Sequence, residues 1–135
     1  MPIIVLAGII RYRNKILIAK RFVKELNMYK WEFPGGKLEK DEGLVGCLKR
    51  EIKEELNLDI TVGEIFEVVY YRYSEKDVVI LAYLCNSNTY NAQAIECCEY
   101  HWIEYEELNR YDFLEADKAI VKKLYRYKEN IYELQ

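Results

Sequence analysis

The chain has 135 residues, 51% of them hydrophobic and 32% charged, with a formal net charge of −3. That balance fits one folded domain over 1–135 with a substantial core and excludes a disordered chain. No run of 18 apolar residues is present to span a membrane, and no basic block is present to form a nucleic-acid surface.

The first stretch, MPIIVLAGIIRYRNK, is apolar from residue 3 to residue 10. It has no basic segment before that run and no small-residue cleavage site after it, so it reads as a first strand rather than an export signal. A cytoplasmic location follows as the expectation, with Cys47, Cys85, Cys97 and Cys98 as free thiols. Cys47 is expected to fill core, and Cys97 and Cys98 to pack in a strand or loop.

Residues 3–12 and 15–21 are β-rich runs around Arg13-Asn14-Lys15, which predicts a hairpin. Residues 22–30 have weak periodicity and read as a loop. In WEFPGGK (31–37), Pro-Gly-Gly is expected to break regular structure and to let the backbone pass close to another group. A helix is predicted over 42–56, with Val45, Leu48, Ile52 and Leu56 as its buried stripe and Asn57 as a left-handed cap. Residues 60–73 are rich in Ile, Val, Phe and Tyr. Ser74-Glu75-Lys76-Asp77 reads as a turn, and residues 78–85 return as a strand.

YHWIEY (100–105) predicts another strand, on which His101 is expected to face solvent. A last helix is predicted over roughly 115–129, with Ala116, Ala119, Ile120 and Leu124 inward. The tyrosines at 125, 127 and 132 would cover it. Strands, helix, strands, helix predicts an α/β (α+β) fold with a mixed sheet and packed helices.

The segment REIKEEL (50–56) places Glu51, Glu54 and Glu55 within an arc of about 100° on a helical wheel. That arc borders the apolar stripe, whereas Lys49 and Lys53 lie on the far side. Carboxylates beside a buried surface repel one another more strongly as the dielectric falls. A divalent cation relieves that repulsion, and an all-oxygen donor set suits Mg²⁺ or Mn²⁺. The alternative is a charge-rich helix whose glutamates pair with Arg50, Lys49 and Lys53.

Gly36 is followed after five residues by Glu42, after seven more by Arg50-Glu51, then by Ile52, Glu54-Glu55 and Leu58. This spacing over 36–58 resembles the Nudix box, G-x5-E-x7-R-E-U-x-E-E-x-G-U, where U is a bulky apolar residue. The one departure is Asn57, where the family usually has glycine; both residues serve a helix C-cap. WEFPGGK is similar to the MutT-like branch of that family.

The resemblance implies a mixed β-sheet sandwiched between α-helices. It also implies a Mg²⁺-dependent hydrolase (Mn²⁺ as a substitute) that converts a nucleoside triphosphate to the monophosphate and pyrophosphate. Its metal ligands would be the Gly35 carbonyl, Glu51, Glu54, Glu55 and Glu96. Glu51 or Glu54 would orient the attacking water, with Arg50 orienting both carboxylates. Lys37 is placed to contact a phosphate, with Arg21 and Lys76 at the mouth of the site. Tyr73 would lie against the base and Asp117 would read its edge. The implied substrates are 8-oxo-dGTP or a cytosine nucleotide (CTP, dCTP or a modified form). Hydrolysis of ADP-ribose or dinucleoside polyphosphates, and nucleotide binding without turnover, remain open alternatives. The expected partner is the nucleotide alone, with the chain a monomer or homodimer.

Overall fold

The computed structural model describes residues 1–97 and 99–133, with side chains described up to residue 126. Cys98 and the side chains of Tyr127 and Tyr132 lie outside the described residues. Among the described residues seven strands are present: β1 (Ile3–Tyr12), β2 (Lys15–Val23), β3 (Met28–Glu32), β4 (Gly35–Lys37), β5 (Thr61–Tyr73), β6 (Lys76–Asn86) and β7 (Glu99–Ile103). Two α-helices accompany them, α1 (Leu44–Leu56) and α2 (Glu115–Glu133), with short 3-10 turns at Lys24–Leu26 and Tyr105–Arg110. No helix is long and apolar enough to cross a membrane among the described residues.

The sheet order is β3-β2-β1-β6-β5, with β4 added to β1 and β7 added to β2. β1 runs parallel to β6 over nine residue pairs, Ile3↔Val78 to Arg11↔Asn86, while the remaining pairings are antiparallel. A central strand covered on both faces must be apolar at successive positions, which is why β1 reads as one apolar run. Ala7 and Ile9 enter one core with Ile16, Ile18, Ile80 and the α2 residues Ile120 and Leu124. Leu6 and Ile10 enter the other, with Leu17 and the α1 residues Leu48, Ile52 and Leu56. The expected sandwich of helix, mixed sheet and helix is the observed one.

β1 and β2 pair only next to their turn, at Arg11↔Ile16 and Tyr12↔Lys15, and then diverge. β4 takes the vacated edge of β1, while β3 and β7 continue from β2. Phe33 and Pro34 cross between the two halves, with the Gly8 N–H donating to the Pro34 carbonyl at 2.8 Å. Phe33 stacks on Phe113, their ring centroids 5.2 Å apart. The wedge opened by this divergence becomes the cavity described below.

Five expectations need correction. Residues 22–30, read as a loop, instead give Phe22 and Val23 to β2 and residues 28–30 to β3, which pairs with β2 through a turn closed by Asn27 at φ 51°. Pro-Gly-Gly interrupts regular structure only at its proline, where β3 has ended at Glu32; Gly35–Lys37 is already a strand, and its glycines serve close approach. Val45 is 43% exposed, because the first turn of α1 overhangs the sheet; a Cβ on Gly43 or Gly46 would meet nothing within 4 Å. Ala119 is exposed, and the inner stripe of α2 runs Asp117, Ile120, Val121, Leu124, so a carboxyl occupies a place where only apolar residues were sought. His101 is half-buried: its ring packs on Trp31 with centroids 4.8 Å apart, and its Nδ1 lies 3.2 Å from the Tyr111 hydroxyl.

The Asn57 cap is as expected. It sits at φ 50° and ψ 44°, and its N–H donates to the Lys53 carbonyl. Its side-chain amide also donates to Gln93 Oε1 at 2.8 Å, which ties the end of α1 to the loop before β7. Asn57→Ala should therefore cost about 1–2 kcal/mol, from left-handed strain plus a lost hydrogen bond. That corresponds to a fall in Tm of about 4 °C or more, whereas Asn57→Gly should stay within about 2 °C of wild type. Thermal denaturation of the three proteins is the check.

Candidate active site

Two glycines bring α1 against the sheet. A Cβ at Gly35 would lie 1.8 Å from the Leu6 carbonyl oxygen, and one at Gly36 would lie 2.3 Å from Glu51 Oε2. Only glycine lets β4 pair with β1 while Glu51 lies directly beneath it. The Glu51 side chain is 17% exposed as a result, and burial raises its pKa against the opposing pull of Arg50.

Arg50 organises the surrounding carboxylates. Its Nη1 lies 3.1 Å from Glu51 Oε1 and 2.9 Å from Glu54 Oε1, and its Nη2 donates to Glu42 Oε1 at 2.9 Å. Glu42 is in turn fixed by the Glu39 N–H, and hydrogen bonding from Arg50 holds it at about 2, fully ionised. The first glutamate of the sequence pattern thus anchors the arginine rather than entering the acidic cluster. Glu54 is the most exposed of the Arg50 partners.

Unlike Glu51 and Glu54, Glu55 forms no ion pair among the described residues. Burial first, then Glu32, Glu51 and Glu96, push its pKa up to about 8, with Arg21 opposing. Glu96 reaches this neighbourhood because the loop before β7 is sewn to the end of α1. The Gln93 N–H donates to the Leu56 carbonyl at 2.8 Å, and those of Ile95 and Glu96 donate to the Glu55 carbonyl at 2.9 and 3.3 Å. Glu51, Glu54, Glu55 and Glu96 are therefore gathered at one end of α1, beside Gly35 and Gly36.

The cavity next to them encloses about 570 Å³ between the diverging halves of the sheet and the start of α2. Its lining includes Gly35, Lys37 and Glu55, Phe33 and Asp117, and Arg21, Tyr73 and Lys76. Asp117 is 5% exposed and accepts the Phe33 N–H at 2.9 Å. Burial pushes its pKa up to about 8, Glu32 adds to the rise, and the Phe33 hydrogen bond and Arg21 oppose it. α2 is held in this position through β3: Trp31 N–H donates to the Asp112 carbonyl and Leu114 N–H to the Trp31 carbonyl.

Glu32 was missed in the sequence. It is paired with Arg21 at 3.0 Å, its pKa is raised by burial, and it acts on both Glu55 and Asp117. A charge flanked by Trp31 and Phe33 was the available signal, and it gains meaning only once 28–32 is known to be a strand. Glu25 and Leu26, also lining the cavity, were hidden by the same loop assignment.

A divalent cation suits these donors. The acids are all carboxylates, and burial, with Glu32, Glu51 and Glu96 nearby, pushes the pKa of Glu55 up to about 8 against the pull of Arg21. Among the described residues, no three His, Cys, Asp or Glu groups already converge on one metal-sized point. Arg50 holds Glu51 and Glu54.

Comparison with known proteins is consistent across sequence and structure. The family model for the NUDIX domain matches residues 3–124. An 8-oxo-dGTP diphosphatase of Buchnera aphidicola subsp. Schizaphis graminum is 32% identical over 120 residues, covering 89% of this chain and 91% of that one. A CTP pyrophosphohydrolase of Escherichia coli is 35% identical over 118 residues, covering 87% of each. The solution structure of the E. coli ORF135 protein superposes with a TM-score of 0.81 at 31% identity, over 93% of this chain and 90% of that one.

The buried acid predicts a pH signature. An acid whose folded pKa exceeds its unfolded one keeps a proton that the unfolded chain has released, so stability falls as pH rises between the two values. For Asp117 the window runs from 3.8 to about 8. Asp117→Asn keeps an acceptor for the Phe33 N–H and removes the titration. Its Tm relative to wild type in metal-free buffer should therefore be higher at pH 8.5 than at pH 5, by about several degrees. Calorimetric scans at both pH values measure the difference.

Proposed function

The chain belongs to the Nudix family, and we propose that it is a MutT-like hydrolase that converts a nucleoside triphosphate and water to the nucleoside monophosphate and pyrophosphate. The observation that carries this reading is the carboxylate cluster of Glu51, Glu54, Glu55 and Glu96 beside a cavity that Glu55 lines together with Phe33 and Asp117. A polyphosphate belongs with the carboxylates and a base with Phe33 and Asp117. The relatives named for 8-oxo-dGTP and CTP hydrolysis support the same class of substrate.

Glu51, Glu54, Glu55, Glu96 and the Gly35 carbonyl would hold Mg²⁺ or Mn²⁺. Once bound, the ion supplies the positive charge that polarises a phosphoryl oxygen and acidifies water. The protein's own contribution is largely placement. Gly36 lets the chain carrying Lys37 run against Glu51, which leaves Lys37 exposed toward phosphate. Arg50, anchored by Glu42, fixes the direction in which Glu51 and Glu54 present their oxygens, so either can hold the attacking water and accept its proton. Arg21, braced by Glu32, lines the cavity and would meet the anionic chain of the substrate. Tyr73 and Lys76 close the side wall. In-line attack on a phosphoanhydride needs little covalent help, so catalysis by position and charge fits this inventory.

Asp117 is the base-reading candidate. With one oxygen occupied by the Phe33 N–H, its other oxygen is left for the base edge. Cytosine and guanine both offer an exocyclic amine to it.

Two outcomes test this reading. Purified protein with Mg²⁺ should release pyrophosphate, not orthophosphate, from CTP or 8-oxo-dGTP, and chelation should abolish turnover. Glu54→Gln or Glu55→Gln should lower kcat by about 10²-fold or more with folding intact, the scale of losing one preorganised charged group. Near-normal turnover in those variants would refute the metal-site assignment. Separately, Asp117→Asn should shift the ratio of kcat/KM among CTP, dGTP and 8-oxo-dGTP by about tenfold or more. An unchanged ranking would leave Asp117 as a structural residue that anchors Phe33.

A further inference from the structure

Between β6 and β7 the chain runs through residues 87–97 with no helix or strand, yet it is pinned along much of that length. Trp102 Nε1 donates to the Tyr90 carbonyl at 3.0 Å, and the Tyr100 hydroxyl donates to the Ala92 carbonyl at 2.8 Å. From Gln93 onward the loop leans on α1. The N–H groups of Gln93, Ile95 and Glu96 close on the Leu56 and Glu55 carbonyls, two of the last-turn acceptors that a helix leaves without internal partners. An irregular segment has to find backbone partners in this way, and each tie removes conformers that the loop would otherwise populate.

Asn57 supplies a side-chain tie from the helix side. Its left-handed backbone ends α1, which glycine would do as well. What glycine lacks is the amide, whose Nδ2 donates to Gln93 Oε1 at 2.8 Å. The bond stands two residues after Glu55 and three before Glu96, so it clasps the two chain segments where each delivers a carboxylate. Asn57 and Gln93 are both exposed, and a hydrogen bond between exposed groups adds little to folding. The clasp therefore does not serve the core.

On the reading above, in which Glu96 joins Glu51, Glu54 and Glu55 in holding the cation, we propose that Asn57 and Gln93 are positioning residues for Glu96: their side-chain hydrogen bond holds the Glu96 arm of the loop against the end of α1 before a divalent cation arrives. Without the clasp, the cation has to order the arm as it binds, and that ordering is subtracted from its affinity. At saturating cation the arm is in place with or without the clasp. The effect therefore belongs in metal affinity rather than in kcat.

The test is a double-mutant cycle on Asn57 and Gln93, read by Mn²⁺ titration of the nucleotide-free protein with electron paramagnetic resonance. Asn57→Gly keeps the cap and removes the amide; Gln93→Ala keeps the backbone N–H and removes the acceptor. Each should raise the Mn²⁺ dissociation constant about threefold, the scale of one exposed hydrogen bond, with the double variant no worse than either. Amide hydrogen exchange at Gln93, Ile95 and Glu96 in metal-free protein should quicken about threefold in both variants. Meanwhile kcat at saturating Mg²⁺ should stay within about twofold and Tm within about 2 °C of wild type. An unchanged dissociation constant, unchanged exchange or an additive double variant overturns the proposal. Glu96→Ala separates the two layers. If it leaves Mn²⁺ affinity unchanged, the assignment of Glu96 to the metal fails; if it weakens affinity while Asn57→Gly and Gln93→Ala do not, only the clasp fails. Adding Asn57→Gly to Glu96→Ala should bring no further loss, and a further loss would show that Asn57 acts on the metal by some route other than Glu96.

Discussion

The contact between β4 and its neighbours sets the geometry of the whole site. Gly35 must lie against the Leu6 carbonyl for β4 to pair with β1, and Gly36 must leave room for the Glu51 carboxylate. Any side chain at either position would separate α1 from the sheet or push Glu51 aside. With α1 held at that distance, Leu48, Ile52 and Leu56 reach the core, and Glu51 and Glu55 are drawn to its margin, where desolvation raises their pKa. The same approach that packs the helix therefore also shifts the titration of the site. Burial and electrostatic strain arise from one pair of missing side chains.

That strain is distributed unevenly. Arg50 takes Glu51, Glu54 and Glu42 under one guanidinium, whose planar fork suits several carboxylates at once. Glu55 lies outside that arrangement, between Glu32, Glu51 and Glu96, and carries the largest upward shift in the cluster. The pairing alternative for REIKEEL holds for Glu51 and Glu54, which share Arg50; Glu55 forms no ion pair among the described residues.

Elements with a strong period were legible in the sequence. The first hairpin, α1, β5, β6 and α2 follow from apolar repeats and turn residues, and the spacing of Gly36, Glu42, Arg50, Glu51, Glu54 and Glu55 pointed to the acidic cluster. β3 was not legible, because MYKWE is half-exposed and mixes charge with aromatic residues; its pairing with β2 and its hydrogen bonds to Asp112 and Leu114 supply what the local pattern lacks. Glu32 was lost with it. Asp117 was singled out, but its deep burial could not be read from a helix start, since the groups that enclose it come from Phe33 and from strands far away in the chain. His101 illustrates the same limit: Trp31 and Tyr111, the rings that cover it, lie on other elements.

The separation of β1 from β2 has a mechanical meaning. Their ladder is closed only at Arg11–Ile16 and Tyr12–Lys15, like the spine of a partly opened book, and the cleft occupies the space between the pages. Hydrogen bonds therefore fix the hinge, while the gape is set by what is wedged inside, chiefly Phe33 stacked on Phe113. The aperture offered to a ligand is thus governed by side-chain volume at positions that need not touch the ligand's reacting atoms. Chains sharing this backbone can differ in the size of molecule they admit by trading bulk at the wedge, with every acidic residue left in place.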